Sequence, residues 1–365
     1  MCRLAPAVAR SIRGVLQLCN FLRIILNKAP LAKPTLSDKR IYLDHAATSP
    51  LRPEARAAME EGFALWANPS SPHAEGRKAK QALEDARDRV KRALDWDGEV
   101  IFTSGASEAL AIALQRAKAH RRIVSAVEHD AVFRAAPDAQ IFDESLTLDS
   151  TSILAIQQVN SETGTINPVG QMAGSITPTG ATLLSDCAQS AGKLELPQAD
   201  MLVVSAHKLG GPIGIGALLV RDYNLLEPIG GHERGYRQGT ENLPGAMGMA
   251  AAIEAGGWAT TGEQRAKFAD QLSDQRLTIG DVCDYIFALT HPTMSAQALL
   301  IRLDAMGFAV SAGSACSSGT LKKSRVLDAF GVSDDAAART IRVSLGWSTT
   351  PQELEKFVEA WRSLV

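Results

Sequence analysis

Cysteine is scarce in this 365-residue chain, and its placement excludes the usual structural uses of it. Cys2, Cys19, Cys187, Cys283 and Cys316 are odd in number, widely scattered and without a CxxC pair, which argues against a disulfide framework and a zinc site. No excess of either charge is present: 38 Lys and Arg against 40 Asp and Glu leave a formal net charge of −2, so no global basic field points to nucleic acid. Runs of like charge, low-complexity tracts and internal repeats are missing too. What remains is the composition of a soluble globular protein, 45% hydrophobic and 21% charged. Its length suits two domains around shared apolar layers, in a reducing cytoplasm with at least one free thiol.

Acidic residues are absent from Met1 to Ser37, while Arg3, Arg10, Arg13, Arg23, Lys28 and Lys33 are basic. Val8, Ile12, Val15, Cys19, Leu22 and Leu26 recur at helical spacing, but the interrupting arginines leave no stretch able to span a bilayer. The segment also lacks the pattern of a secretory signal. Residues 1–40 are therefore read as an extension outside the fold, with a targeting or membrane-surface helix as the alternative. Pro30 and Pro34 end it.

From Ile41 onward, apolar strand-like runs alternate with helical patterns, the signature of an α/β fold with a mostly parallel sheet covered on both faces. Residues 75–94 read as a helix, with Ala79, Leu83, Ala86 and Val90 on one face. Strands are expected at Val100–Phe102, Ile123–Val127, Ile153–Val159, Thr182–Leu184, Met201–Val204 and Ile215–Val220. A polar stretch near Thr260 places the boundary of the large domain, and a last helix is expected over Pro351–Ser363.

Ser205-Ala206-His207-Lys208 directly follows one of these strands. A lysine at a buried strand end is costly unless neutralised, paired or covalently modified, and a Schiff base with an aldehyde cofactor removes the charge. Alone, the motif fits a surface lysine before a glycine turn better. Two further features favour pyridoxal phosphate. Asp186 ends another strand 22 residues earlier, where a carboxylate can pair with a pyridine nitrogen. Thr103-Ser104-Gly105-Ala106-Ser107-Glu108 lies between a strand and a helix, where backbone N–H groups and hydroxyls can cradle a phosphate.

These motifs occur in order with Tyr42-Leu43-Asp44-His45-Ala46-Ala47-Thr48, Asn68-Pro69-Ser70-Ser71-Pro72-His73, Glu128-His129, Arg237-Gln238-Gly239-Thr240-Glu241-Asn242, Ser311-Ala312-Gly313-Ser314-Ala315-Cys316-Ser317-Ser318-Gly319 and Thr340-Ile341-Arg342-Val343-Ser344-Leu345-Gly346. Over residues 41 to 365 the chain resembles the cysteine desulfurases of the NifS/IscS group, fold-type I pyridoxal-phosphate enzymes of the class-V aminotransferase family. The resemblance implies a large cofactor-binding domain at 50–260. It also implies a smaller α+β domain from 41–49 and 261–365 that carries the cysteine loop. Lys208 would hold the cofactor and move a proton, His129 would stack on its ring, Asp186 would pair with the ring nitrogen and Gln189 would bond the phenolic oxygen. Ala106, Ser107, Ser205 and His207 would hold the phosphate, joined by Thr240 from the other subunit of a homodimer. Arg342, with Asn160, would bind the carboxylate of L-cysteine.

Cys316 would receive the sulfur as a persulfide and pass it to an acceptor protein for iron–sulfur clusters, thiolated tRNA or a cofactor pathway. Its Gly- and Ser-rich neighbours suit a thiolate that must reach two places, whereas a packing cysteine sits in an apolar run; Cys187 is read as such a packing residue. The form of the Cys316 motif resembles the subgroup with the longer catalytic loop. One departure stands out: relatives carry two asparagines before Glu162, and here Ser161 takes the place of the one that approaches the phenolic oxygen. A selenocysteine lyase or another class-V lyase or aminotransferase is the alternative within this chemistry, and a non-catalytic sulfur-relay scaffold is the alternative outside it.

Overall fold

In the computed structural model, which describes residues 40–313 and 324–365, the expected apolar runs form strands. Numbered along the chain, these are β1 (Ile41–Tyr42), β2 (Glu99–Thr103), β3 (Arg121–Val124), β4 (Gln140–Ile141), β5 (Ser152–Ala155) and β6 (Thr182–Asp186). They continue as β7 (Met201–Ser205), β8 (Gly216–Val220), β9 (Ile286–Thr290), β10 (Phe308–Ala309) and β11 (Thr340–Ser344). Seven of them make one sheet in the order β2-β8-β7-β6-β5-β3-β4. β8 is antiparallel to both neighbours, and the other pairs are parallel. β6, β7 and β8 are buried along their whole length, which is why they read as unbroken apolar runs.

Successive residues of each strand serve opposite faces. Val100 and Phe102 join one apolar cluster with Ala79, Leu83, Ala86 and Val90 of the Ala74–Ala93 helix; Ile101 joins the other with Leu110 and Leu114 of the Ala106–Arg116 helix. A third cluster gathers Ile41, Leu43 and Ala46 with Phe268, Phe287, Phe357 and Trp361, around β9 paired antiparallel to β11 and β1 paired parallel to β10. The Phe268 and Phe287 rings meet edge to face, 5.0 Å apart. The Pro351–Arg362 helix closes this cluster and starts with a capping box between Thr350 and Glu353. Residues 1–39 and the segment 314–323, with Cys316, lie outside the described residues.

Two strands end earlier than their sequence pattern suggests. β3 stops at Val124 and β5 at Ala155. Single backbone bonds carry the pattern a little further, from the Ser125 N–H to Ala155 O and from the Ile156 N–H to Leu184 O, both at 3.0 Å, before the Gln157 N–H turns to the Glu128 carboxylate at 2.8 Å.

One buried ion pair ties the sheet to the helices over it. Arg87 donates to both oxygens of Glu233, at 2.8 and 3.2 Å, and the Phe102 N–H donates to the same carboxylate at 2.9 Å. Both side chains are almost wholly buried, so removing one strands a charge in an apolar interior. Glu233→Leu is expected to cost about 3–5 kcal/mol in urea unfolding, and Arg87→Leu added to it to recover part of that loss.

Candidate functional site

Because β8 alone runs against the others, the C-terminal ends of β2, β3, β5, β6 and β7 share one edge of the sheet, where ligands of such sheets collect. A cavity of about 430 Å³ opens there. Its wall contains Ala106, Ser107, His129, Ser161, Asp186, Gln189, Ser205, His207 and Lys208, nine of the residues singled out in the sequence.

Each of these is aimed by local structure. Lys208 lies on a single helical turn after β7, and its Nζ donates to the Ala46 carbonyl at 2.5 Å. Burial, with help from the nearby positive charge of Arg342, lowers its pKa from the ordinary lysine value to about 8; Asp186 and Asp44 oppose the shift. Asp186 ends β6 with Oδ1 accepting from the Ala188 N–H at 2.9 Å. Its burial raises the carboxyl pKa, against the pull of that N–H, His129 and Lys208. His129 caps the Asp130–Ala135 helix, its Nδ1 accepting from the Ala131 N–H at 3.1 Å. That bond assigns the proton of the neutral ring to Nε2, and burial keeps the ring neutral.

The cavity suits pyridoxal phosphate on four observations. The Ala106–Arg116 helix starts with no side-chain cap, so its first-turn N–H groups are open to an anion. Gly105 precedes it at φ 148°, with open space where a Cβ would stand, and Gly216 behind it has no room for one: a Cβ would lie 2.8 Å from the Gly105 Cα. Gln189 Oε1 is buried without a partner, a polar atom that an occupant can satisfy. The paired demands of Asp186, which needs a cation or proton, and Lys208, which needs its charge removed, fit a protonated pyridine ring bearing an aldehyde.

Three singled-out residues are not in the cavity wall, and a fourth, Cys316, is outside the described residues. Thr240 is exposed and not in the cavity wall; its carbonyl accepts from Arg237, which pairs at 3.2 Å with Glu108 of that wall. Arg342, on β11, is buried; it donates to Asp44 Oδ1 and to the Ser161 carbonyl, both at 2.9 Å, and its Nε has no partner. Asn160 is turned to its own backbone. Its Oδ1 accepts from the N–H groups of Glu162 and Thr163, at 2.9 and 3.0 Å, and its Nδ2 donates to Val127 O at 3.2 Å. The carboxamide holds the 160–164 turn instead of facing the cavity. Gln189, in the cavity wall, donates its Nε2 to the Ala46 carbonyl at 2.9 Å, the same oxygen that Lys208 reaches.

Sequence reasoning gave no role to Asp44, Thr48 or Glu162. Asp44 is the ion partner of Arg342, and Thr48 Oγ1 lies 3.2 Å from His207 Nδ1. Both stand in the quoted Tyr42–Thr48 motif, the only signal that marked them.

The family model for aminotransferase class-V matches residues 41–357. A cysteine desulfurase from Cereibacter sphaeroides is 33% identical, covering 90% of this chain and 96% of its own. The chain belongs to the class-V aminotransferase family. Within it, the likeness is to cysteine desulfurases. A NifS-like protein from Rickettsia africae superposes with a TM-score of 0.79 at 24% identity, over 89% of this chain and 99% of that one, and carries the same fold. A structure of SspA in complex with cysteine is 27% identical with a TM-score of 0.72, over 86% of this chain and all of that one. This class-V chain has the fold-type I architecture, and pyridoxal phosphate is the cofactor of its family. No helix among the described residues is long and apolar enough to cross a membrane.

Proposed function

We propose that this class-V enzyme is a cysteine desulfurase that converts L-cysteine to L-alanine and keeps the sulfur as a persulfide on Cys316. The observation that carries this reading is the meeting of Lys208, Asp186, His129 and the Gly105–Ser107 turn in one cavity, in a chain 33% identical to a cysteine desulfurase along nearly all its length. The bound cofactor supplies an electron sink for the carbon attached to it. Lys208 holds it and carries a proton, Asp186 keeps its ring nitrogen protonated and His129 covers the ring. Ala106, Ser107, Ser205 and His207 take the phosphate. Arg342 takes the substrate carboxylate. The proposed enzyme is a homodimer in which Thr240, exposed in the single chain, completes the partner's phosphate site. In this reading residues 41–49 and 261–365 form the small domain presenting Cys316, the enzyme is cytoplasmic, and a sulfur-acceptor protein collects the persulfide for iron–sulfur clusters, thiolated tRNA or cofactor synthesis.

The test is the visible spectrum of the purified holoenzyme before and after L-cysteine, with alanine and protein-bound sulfur measured together. Alanine and persulfide in equal amounts are expected. A protein that takes up no cofactor, or that acts on selenocysteine and ignores cysteine, overturns the reading.

The Arg342–Asp44 pair makes a second measurement informative. Asp44 is the counter-ion of a buried guanidinium, so Asp44→Asn leaves that charge seeking another anion. L-alanine, which offers a carboxylate, is expected to bind the variant holoenzyme about fivefold more tightly in a spectral titration, while the variant unfolds at lower urea.

A further inference from the structure

The turn that carries Lys208 presents four consecutive carbonyls, from His207 to Gly210, to one short stretch of chain. The Ser49 N–H donates to His207 O at 2.7 Å and Ser49 Oγ to Lys208 O at 3.2 Å. Arg52 continues the series: its N–H donates to Gly210 O at 2.8 Å and its Nε to Leu209 O at 3.1 Å. Pro53 opens the Pro53–Leu65 helix and keeps Arg52 extended, at φ −65° and ψ 145°. The guanidinium reaches further, with Nη2 donating to Gly257 O at 3.1 Å and Cζ 4.9 Å from the centre of the Trp347 ring. Trp347 is itself tied back, its Nε1 donating to Pro50 O at 2.9 Å. Gly210, at φ 92°, permits this contact, since a Cβ there would lie 2.6 Å from Arg52 Cγ and 2.9 Å from Trp347 Nε1. Arg52 is buried, its side chain bonds carbonyl oxygens, and Glu54 is the acid whose charge it feels. A buried charge is costly, so a guanidinium set against backbone carbonyls marks a turn that must keep its shape.

We infer that Arg52 is a positioning residue for Lys208, clamping the 207–210 turn so that the amine is held in the cavity for the aldehyde of the cofactor. Arg52 does not line the cavity; it acts through Leu209 and Gly210, the two residues after the lysine. In the step it serves, the neutral Lys208 amine adds to the aldehyde carbon and a C=N bond replaces the C=O bond. The carbonyl oxygen leaves as water with the two amine hydrogens, and nothing is oxidised or reduced. The role rests on pyridoxal phosphate as the cofactor and is independent of what the loaded enzyme does to its substrate. Both the reach and the burial of the amine depend on the clamp. Lys208 Nζ sits against the Ala46 carbonyl, where burial and Arg342 favour the neutral amine while Asp186 and Asp44 favour the charged one. His129, His207 and Lys193 also feel its charge. A turn free to swing carries the amine toward water, where it regains the ordinary affinity of a lysine for its proton.

The experiment follows cofactor uptake by the apoproteins of the wild type, Arg52→Met and Arg52→Lys, trapped with borohydride between about pH 6 and pH 10. Beside it runs the binding of pyridoxine 5′-phosphate, which has the ring and the phosphate but no aldehyde. Arg52→Met keeps the apolar length and loses the side-chain donors. It is expected to take up cofactor about tenfold more slowly at pH 7, with the midpoint of its pH profile about one unit above the wild-type value of about 8. Arg52→Lys, with a single ammonium in place of the fork, should fall between the two. Pyridoxine 5′-phosphate should bind all three within about threefold, because Ser205, His207 and the Gly105–Ser107 turn are unaltered. If Arg52→Met does not fold, Arg52→Lys carries the decision: a raised midpoint supports the role and an unmoved one overturns it. Slowed uptake with an unmoved midpoint also overturns the inference, as does slowed uptake matched by an equal loss of pyridoxine 5′-phosphate binding. A wild type that traps no cofactor on Lys208 removes the cofactor reading and this role together. A wild type that loads normally yet forms no alanine from L-cysteine removes the desulfurase proposal and leaves this role standing.

Discussion

Lys208→Ala is expected to yield a folded protein that retains no cofactor after borohydride treatment and denaturation, and that forms alanine at least about 10³-fold more slowly. In the proposed function two losses would coincide in it: the amine that holds the cofactor covalently, and the base that moves a proton. Lys208→Arg should fail as badly, since a guanidinium keeps the positive charge but cannot make the bond. The pH dependence of cofactor uptake supplies an independent check. A lysine amine reacts only when neutral, and burial together with Arg342 has brought that of Lys208 down to about 8. At pH 7 about one molecule in ten is then ready, against fewer than about one in a thousand for an ordinary lysine. Covalent uptake by the apoprotein should therefore rise with pH and level off above about 8. The linked stability has the same sign. Between about 8 and the ordinary lysine value the unfolded chain binds more protons at this site, so the apoprotein gains stability as pH rises through that window. Uptake that climbs steadily to pH 10 would show an unperturbed amine, and Lys208→Ala retaining covalent cofactor would assign that role to another residue.

Cys316→Ala should remove the persulfide entirely and lower alanine formation by about 10³-fold, while L-cysteine still changes the spectrum of the holoenzyme. The described cysteines cannot replace it. Cys187 is fully buried beside Asp186, and burial pushes its thiol up to about 12; Cys283 is buried as well and raised by the same cause. Neither offers a thiolate at neutral pH, and neither lines the cavity. Protein-bound sulfur measured by mass after one turnover decides the matter. If the variant still released sulfide at the wild-type rate, the persulfide route through Cys316 would be wrong.

Much of the site was legible because its residues sit at strand ends. A buried parallel strand reads as an unbroken apolar run, so its end is visible, and so is the polar residue placed there: Asp186 after β6, Lys208 just after β7, Ser107 just after β2. The Ala74–Ala93 helix and the Pro351–Arg362 helix were equally plain from their period and caps. The local bonds of Asn160 were hidden for a reason of the opposite kind. Its type and neighbourhood suited a ligand contact, yet its bonds go to backbone within three residues, an Asx turn that sequence pattern does not separate from a binding role.

Asp44, Glu162 and Arg342 mark what lay beyond that reading. Their partners are far away in sequence: Asp44 and Arg342 are 298 residues apart, and Glu162 and Ser324 are 162 apart. Periodicity reports which face of an element is buried, and a motif reports which chemistry a residue type can do; neither carries the pairing between distant segments. The gathering of these side chains around one cavity was therefore decided locally, by strand ends and a helix N-terminus, and was legible in the sequence alone. The counter-ion of Arg342, the work of Asn160 and the pairing of Glu162 with Ser324 depend on how β1, β11 and the 160–164 turn pack, and that packing exists only in the folded chain.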